Sequence, residues 1–142
     1  MMFIYIIVFI LFIIVSLFIY GFILNYISTK KHNEFKEKLE GKSLFFYTDK
    51  KDYIEINNFV IQNLDKNIIQ IKLIQDKVLS IFDTDKIHRF INHEKLKEFP
   101  ITINIINRKV EQKSFLKEYK LVTKQKLESI TVLNEITNWY KK

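Results

Sequence analysis

The chain has 142 residues, 23 Lys and Arg against 16 Asp and Glu, and a formal net charge of +7, yet residues 1–27 hold no charged side chain and no histidine. The absence of Cys excludes disulfides, thiol catalysis, Cys-ligated zinc and iron–sulfur clusters. Two Gly and one Pro argue against glycine-loop nucleotide binding and linker-rich chains, and 48% hydrophobic with 15% aromatic residues argue against disorder.

As a helix, the uncharged run spans about 40 Å at ~1.5 Å per residue, against a hydrocarbon core of ~30 Å, so it is long enough to cross a bilayer once. It is apolar all round, which disfavours a helix lying on the membrane surface. It lacks the basic start, short apolar core and small-residue cleavage site of a signal peptide, and the acidic residue of a pilin-type helix. The expectation is a retained anchor over residues 1–27. On its C-terminal flank Lys30, Lys31, Lys36, Lys38 and Lys42 stand among Glu34, Glu37 and Glu40. Counted by Lys and Arg, that flank is the cytoplasmic one. Residues 28–42 read as a juxtamembrane stalk, helical over 33–40, and residues 43–142 as one domain with one core.

Within the domain, Ser43-Leu-Phe-Phe-Tyr-Thr48 is long enough for a buried strand and too short for a core helix. Asp52-Tyr53-Ile54-Glu55 has capping-box spacing, and Tyr53, Ile56, Val60 and Leu64 recur at helical intervals, which predicts a helix over 52–64 with Asp52 as its cap. Alternation of Ile69, Ile71 and Leu73 with Gln70 and Lys72 predicts a strand over 68–74. A helix starting at Asp83 carries Ile87, Phe90 and Ile91, continues through Leu96 and Phe99, and is stopped by Pro100. Ile101 to Ile106 alternates, Asn107-Arg108-Lys109 supplies a turn, and 110–116 returns as the second strand of a hairpin. Last, Thr123 caps a helix bearing Leu127, Ile130, Leu133, Ile136 and Tyr140, which covers the sheet.

That order, with Leu96-Lys-Glu-Phe99-Pro100-Ile101 between the second helix and an Ile-rich hairpin, resembles the thioredoxin-like fold. The segment looks like that family's apolar-x-x-apolar-Pro-Thr element, with Ile101 in place of Thr, and Leu44 to Thr48 looks like the strand leading into its redox motif. With the N-terminal anchor, the basic stalk and the stretch Tyr119 to Ser129, the chain is similar to membrane-anchored thioredoxin-like accessory proteins of methylamine utilisation. The resemblance implies a central sheet of about four strands with three flanking helices behind one transmembrane helix, and a cis peptide bond before Pro100. It also places Asp52 and Glu55 where the family carries its Cys pair. A carboxylate neither forms nor attacks a disulfide, so the domain is expected to be redox-inactive. In this fold the segment before the proline pairs its backbone with extended peptides, so Phe99 and Pro100, with Asp52 and Tyr53 at the helix start, are the candidate partner-binding residues.

The remaining chemistry is sparse. His88 and His93 are five apart, without a His-Glu-x-x-His pattern, so no metal site is expected. No serine has a nucleophile-elbow setting. From Ser43 onward 18 Lys and Arg are interleaved with 13 acids, which reads as solvated faces rather than a nucleic-acid surface. The sequence therefore predicts a single-pass membrane protein, not an enzyme and without a cofactor, that serves as an accessory or scaffold for a protein or peptide partner. A small interaction or immunity-type protein with an unrelated α+β domain is the alternative. The lysines put the domain in the cytoplasm, and the family resemblance puts it outside.

Overall fold

The computed structural model describes residues 2–75 and 77–141. Met1 and Lys142, which bound the expected anchor and domain, lie outside the described residues, as does Asp76. The chain forms two compact units, Met1–Glu34 and Phe35–Lys142.

The first unit is the greater part of α1 (Met2–Lys38), one continuous helix. Its large apolar side chains from Phe3 to Ile27 are all exposed, and it is long and apolar enough to cross a membrane. The Ser16 hydroxyl donates to the Phe12 carbonyl at 2.8 Å, the usual way to satisfy a hydroxyl inside an apolar helix.

The second unit is α/β. The last turn of α1 leads to β1 (Ser43–Thr48), a 3-10 turn (Lys51–Tyr53), α2 (Ile54–Asn63), β2 (Ile69–Ile74) and β3 (Lys77–Leu79). Then come α3 (Thr84–His93), β4 (Ile101–Ile106), β5 (Lys109–Ser114), α4 (Leu116–Thr123) and α5 (Ser129–Tyr140). Five strands form one mixed sheet in the order β3-β2-β1-β4-β5. β1 runs parallel to β2, with α2 between them in sequence, and antiparallel to β4; the two outer pairs are antiparallel.

Period-two alternation divides β1 between two cores. Leu44 and Phe46 point to one face with Ile71, Ile101 and Ile103, covered by Ile87 and Phe90 of α3. Phe45 points to the other, covered by Ile56 and Val60 of α2, Tyr119 of α4 and Val132 and Ile136 of α5. Phe35 and Leu39, in the stretch read from the sequence as stalk, are buried in the α3-side core. That end of α1 is also fixed by polar contacts. Lys36 pairs with Glu94 at 3.0 Å and Glu37 with Arg108 at 2.8 Å, and Gly41 donates to the Ile105 carbonyl at 2.8 Å. The Glu40 carboxylate accepts from the main-chain N–H groups of Asn107 and Arg108. Those two residues, both at positive φ (53° and 60°), form the two-residue β4–β5 turn, whose left-handed backbone matches the twist of a hairpin.

Four expectations are corrected. The sheet has five described strands, not four, because β3 pairs with β2 through only three residues, too few to show a period. The helix expected to run on to Phe99 ends at His93: Lys95 turns to φ 53° and Leu96 N–H donates to the Ile91 carbonyl, closing the helix without a glycine. The helix expected from Thr123 is two. Thr123 ends α4, its hydroxyl donating back to the Lys120 carbonyl at 3.1 Å, Gln125 turns at φ 55°, and α5 begins at Ser129. Asp52 is not the cap of α2. The 3-10 turn in front of the helix satisfies its first donors from the backbone, Tyr53 N–H to Lys50 O and Ile54 N–H to Lys51 O, and Tyr53 stands at the N-cap without a side-chain bond.

Candidate functional site

The carboxyl end of β1 is where the candidate residues converge. Phe46 pairs with Ile101, so Phe99 and Pro100, in the bend just ahead of β4, lie at the end of the sheet from which the chain turns into α2. In open α/β sheets that end is the usual place for a ligand. The Phe99–Pro100 peptide bond is cis. On either side of Phe99 the carbonyls are taken: Glu98 O accepts from the Ser114 hydroxyl at 2.6 Å, and Pro100 O accepts from Phe115 N–H at 2.9 Å. The main-chain N–H and C=O of Phe99 itself make no hydrogen bond with any described residue. The Phe99 ring is half-buried and tilted on Phe46, 6.3 Å between centroids.

Although they share this end of the sheet, the candidates fall on its two faces. Phe99 packs with the α3-side core, whereas Tyr53 is buried in the opposite one, edge-on to Tyr119 at 5.6 Å. Asp52 and Glu55, three apart at the start of α2, are exposed and line a separate groove of about 580 Å³. Its facing wall is Val122, Thr123, Gln125 and Ser129, from the α4–α5 junction, and Lys51 shares the rim with the two acids. No hydrogen bond or ring contact joins Asp52, Tyr53 or Glu55 to Phe99 or Pro100. Among the described residues no three His, Asp or Glu side chains gather as a metal-binding group; His88 and His93 lie on α3.

Sequence reasoning missed a buried polar cluster beside the β1 end. Asn57 Nδ2 donates to the Thr48 carbonyl at 2.9 Å and ties α2 to the strand, while Asn57 Oδ1, the Thr48 hydroxyl and the Tyr119 hydroxyl are buried with no hydrogen-bond partner among the described residues. Burial pushes the Tyr119 phenol well above the usual tyrosine range, and the nearby Tyr47 adds to it. Tyr47 is raised as well, chiefly by burial and against the pull of Lys72, whose ammonium pairs with Asp49 at 2.8 Å. That bond to Asp49 raises Lys72 in turn. The signal for Asn57 was present in the sequence, since it stands four residues after Tyr53 and three before Val60 on the apolar face of a predicted helix. Phe115 and Tyr119 are likewise four apart, at the spacing of the helix that follows the hairpin.

Compared with known proteins, the chain matches no family model, no curated sequence and no solved structure.

Proposed function

We propose that this chain is a membrane-anchored binding module with a thioredoxin-like domain that carries no thiol chemistry and holds an extended segment of a protein partner against Phe99 and Pro100. The observation that carries the proposal is the main chain of Phe99, whose N–H and C=O, in the bend just ahead of β4, are unpaired among the described residues and are flanked by residues whose own carbonyls are already bonded. An incoming strand finds there one free donor and one free acceptor on a fixed scaffold, the backbone basis of strand-addition recognition. The order β2-β1-β4-β5, with β1 parallel to β2 and antiparallel to β4, supports the thioredoxin-like assignment. A Cys-free chain has no thiolate nucleophile, so the function in this reading is capture, as an accessory or scaffold. In this reading α1 is its anchor, and the lysines following the apolar run favour the cytoplasmic side for the domain over the outside position that the family resemblance implies.

Purified protein is expected to show no insulin reduction or disulfide isomerisation. Its partner, recovered from membranes through the anchored protein, should bind about tenfold more weakly to Phe99→Ala or Pro100→Ala while circular dichroism is unchanged. Turnover without an added thiol protein, or binding indifferent to both substitutions, defeats the proposal. Because the chain has no cysteine, labelling of Ile130→Cys by an impermeant maleimide reports the side directly. Protection in sealed cells and labelling after lysis are expected.

A further inference from the structure

Outside α1, the most exposed large apolar side chains among the described residues are Ile81, at 78%, and Leu79, at 56%. They stand two residues apart, on β3 at the edge of the sheet and on the turn that follows it. The turn is stitched: the Ser80 hydroxyl donates to Phe82 O and accepts from Phe82 N–H, both at 3.0 Å. On either side the chain is held inward. Val78 is buried, and the Phe82 ring packs edge-on against Phe35 at 5.4 Å. Leu79 and Ile81 therefore cannot fold back into the core, and an apolar pair held out in this way suits a second apolar medium.

The chain limits what that medium is. Phe35, the ring beneath this turn, follows the last residue of the apolar run, Ile27, by eight residues of the same helix, about 12 Å at ~1.5 Å per residue. The headgroup layer of one leaflet is itself about 5–8 Å deep. A domain tethered to the membrane by its own chain meets lipid at an effective concentration that a soluble partner does not reach. The local charge is mixed. Lys77 and Lys86 are exposed on either side of the turn, and so is Asp83, which caps α3 and accepts from Asp85 N–H at 2.9 Å. Attraction to anionic headgroups is thus not what would hold the turn.

We infer that Leu79 and Ile81 insert into the headgroup–acyl boundary of the membrane that holds α1, giving the domain a second, reversible contact with lipid. The inference rests on the reading of α1 as a membrane span. The test uses the full chain in nanodiscs of phosphatidylcholine, with or without phosphatidylserine. Single cysteines at Leu79→Cys, Ile81→Cys, Ile130→Cys on α5, and Phe18→Cys within α1 carry an environment-sensitive dye. Headgroup-proximal nitroxide lipids should quench the dye at 79 and 81 at least about threefold more than at 130, in both lipid mixtures, and Ile81→Asp should abolish quenching at 79. Equal quenching at 81 and 130 overturns the inference, as does a requirement for phosphatidylserine. Shielding of 81 that vanishes at one chain per disc assigns the patch to a second copy and also overturns it. If the dye at 18 escapes acyl-chain nitroxides, the failure belongs to the anchor reading instead.

Discussion

Tyr119 and Tyr140 are both tyrosines on the helices that cover one face of the sheet, and removal of their hydroxyls should have opposite effects. Tyr119 is fully buried, its ring edge-on to Tyr53, and its hydroxyl has no partner among the described residues. An unpaired hydroxyl taken out of water costs about 1–3 kcal/mol, and Tyr119→Phe keeps the buried ring while removing that cost. The variant should gain about 1–2 kcal/mol. For a unit of this size that raises Tm by about 4 °C per kcal/mol. The Tyr140 hydroxyl, by contrast, donates to the carbonyl of buried Leu44 at 2.5 Å. Tyr140→Phe should lose about 0.5–1.5 kcal/mol, since it removes a hydrogen bond made inside the fold. Urea unfolding of the full chain in one fixed detergent, followed by the single Trp139 and by circular dichroism, measures both. A Tyr119→Phe protein less stable than the parent by more than about 1 kcal/mol would mean that its hydroxyl is satisfied, and would refute the reasoning.

Asp52→Ala should change stability by less than about 0.5 kcal/mol, whereas Asp83→Ala, which removes a cap bonded to Asp85 N–H, should cost about 1 kcal/mol; equal effects would restore Asp52 as a cap. Glu40→Ala should cost about 1 kcal/mol through the two N–H groups of the β4–β5 turn, and amide exchange at Asn107 and Arg108 should quicken more than at Ile71. Stability should also fall in alkali. Burial raises Tyr47, Tyr119 and Tyr140 above their ordinary value of 10.0, so above that pH the unfolded chain gives up its protons first and binds fewer of them. The contribution is intact below pH 10 and is lost as pH climbs from there toward the folded values; a urea midpoint that rises between pH 10 and 11.5, or a loss confined to below pH 9, counts against it.

The parts of the fold legible from sequence were those with a long period or marked turn chemistry. Ile101 to Ile106 alternates cleanly and is followed by Asn107, a residue tolerant of positive φ, so the hairpin could be read at once. Nothing comparable marks the α4–α5 break or the end of α3, where Gln125 and Lys95 take positive φ without being Gly or Asn. Phe35 and Leu39 carried a signal, two apolar residues four apart, but it was submerged in the charged run from Lys30 to Lys42. The capping pattern at Asp52 was real as a pattern; a 3-10 turn, invisible to helical periodicity, occupied its place. At the candidate site, Phe99 and Pro100 were legible from their segment. The division of Tyr53 and Phe99 between opposite faces follows from how α2 and α3 cover the sheet, which local sequence does not encode.

The fastening of the last turn of α1 has a mechanical meaning. A pull delivered at Glu34 meets no slack: it arrives at Phe35 and Leu39 inside the core, and at the Lys36–Glu94, Glu37–Arg108 and Glu40 contacts side by side. Load on this turn is therefore shared between the β4–β5 hairpin and α3 rather than passing into an extensible cord. Cutting the chain at residue 43 to obtain a soluble domain would take two buried side chains and a turn clasp away with the anchor, each of the former worth about 2–5 kcal/mol. A detached domain that keeps its shape has to start ahead of Phe35.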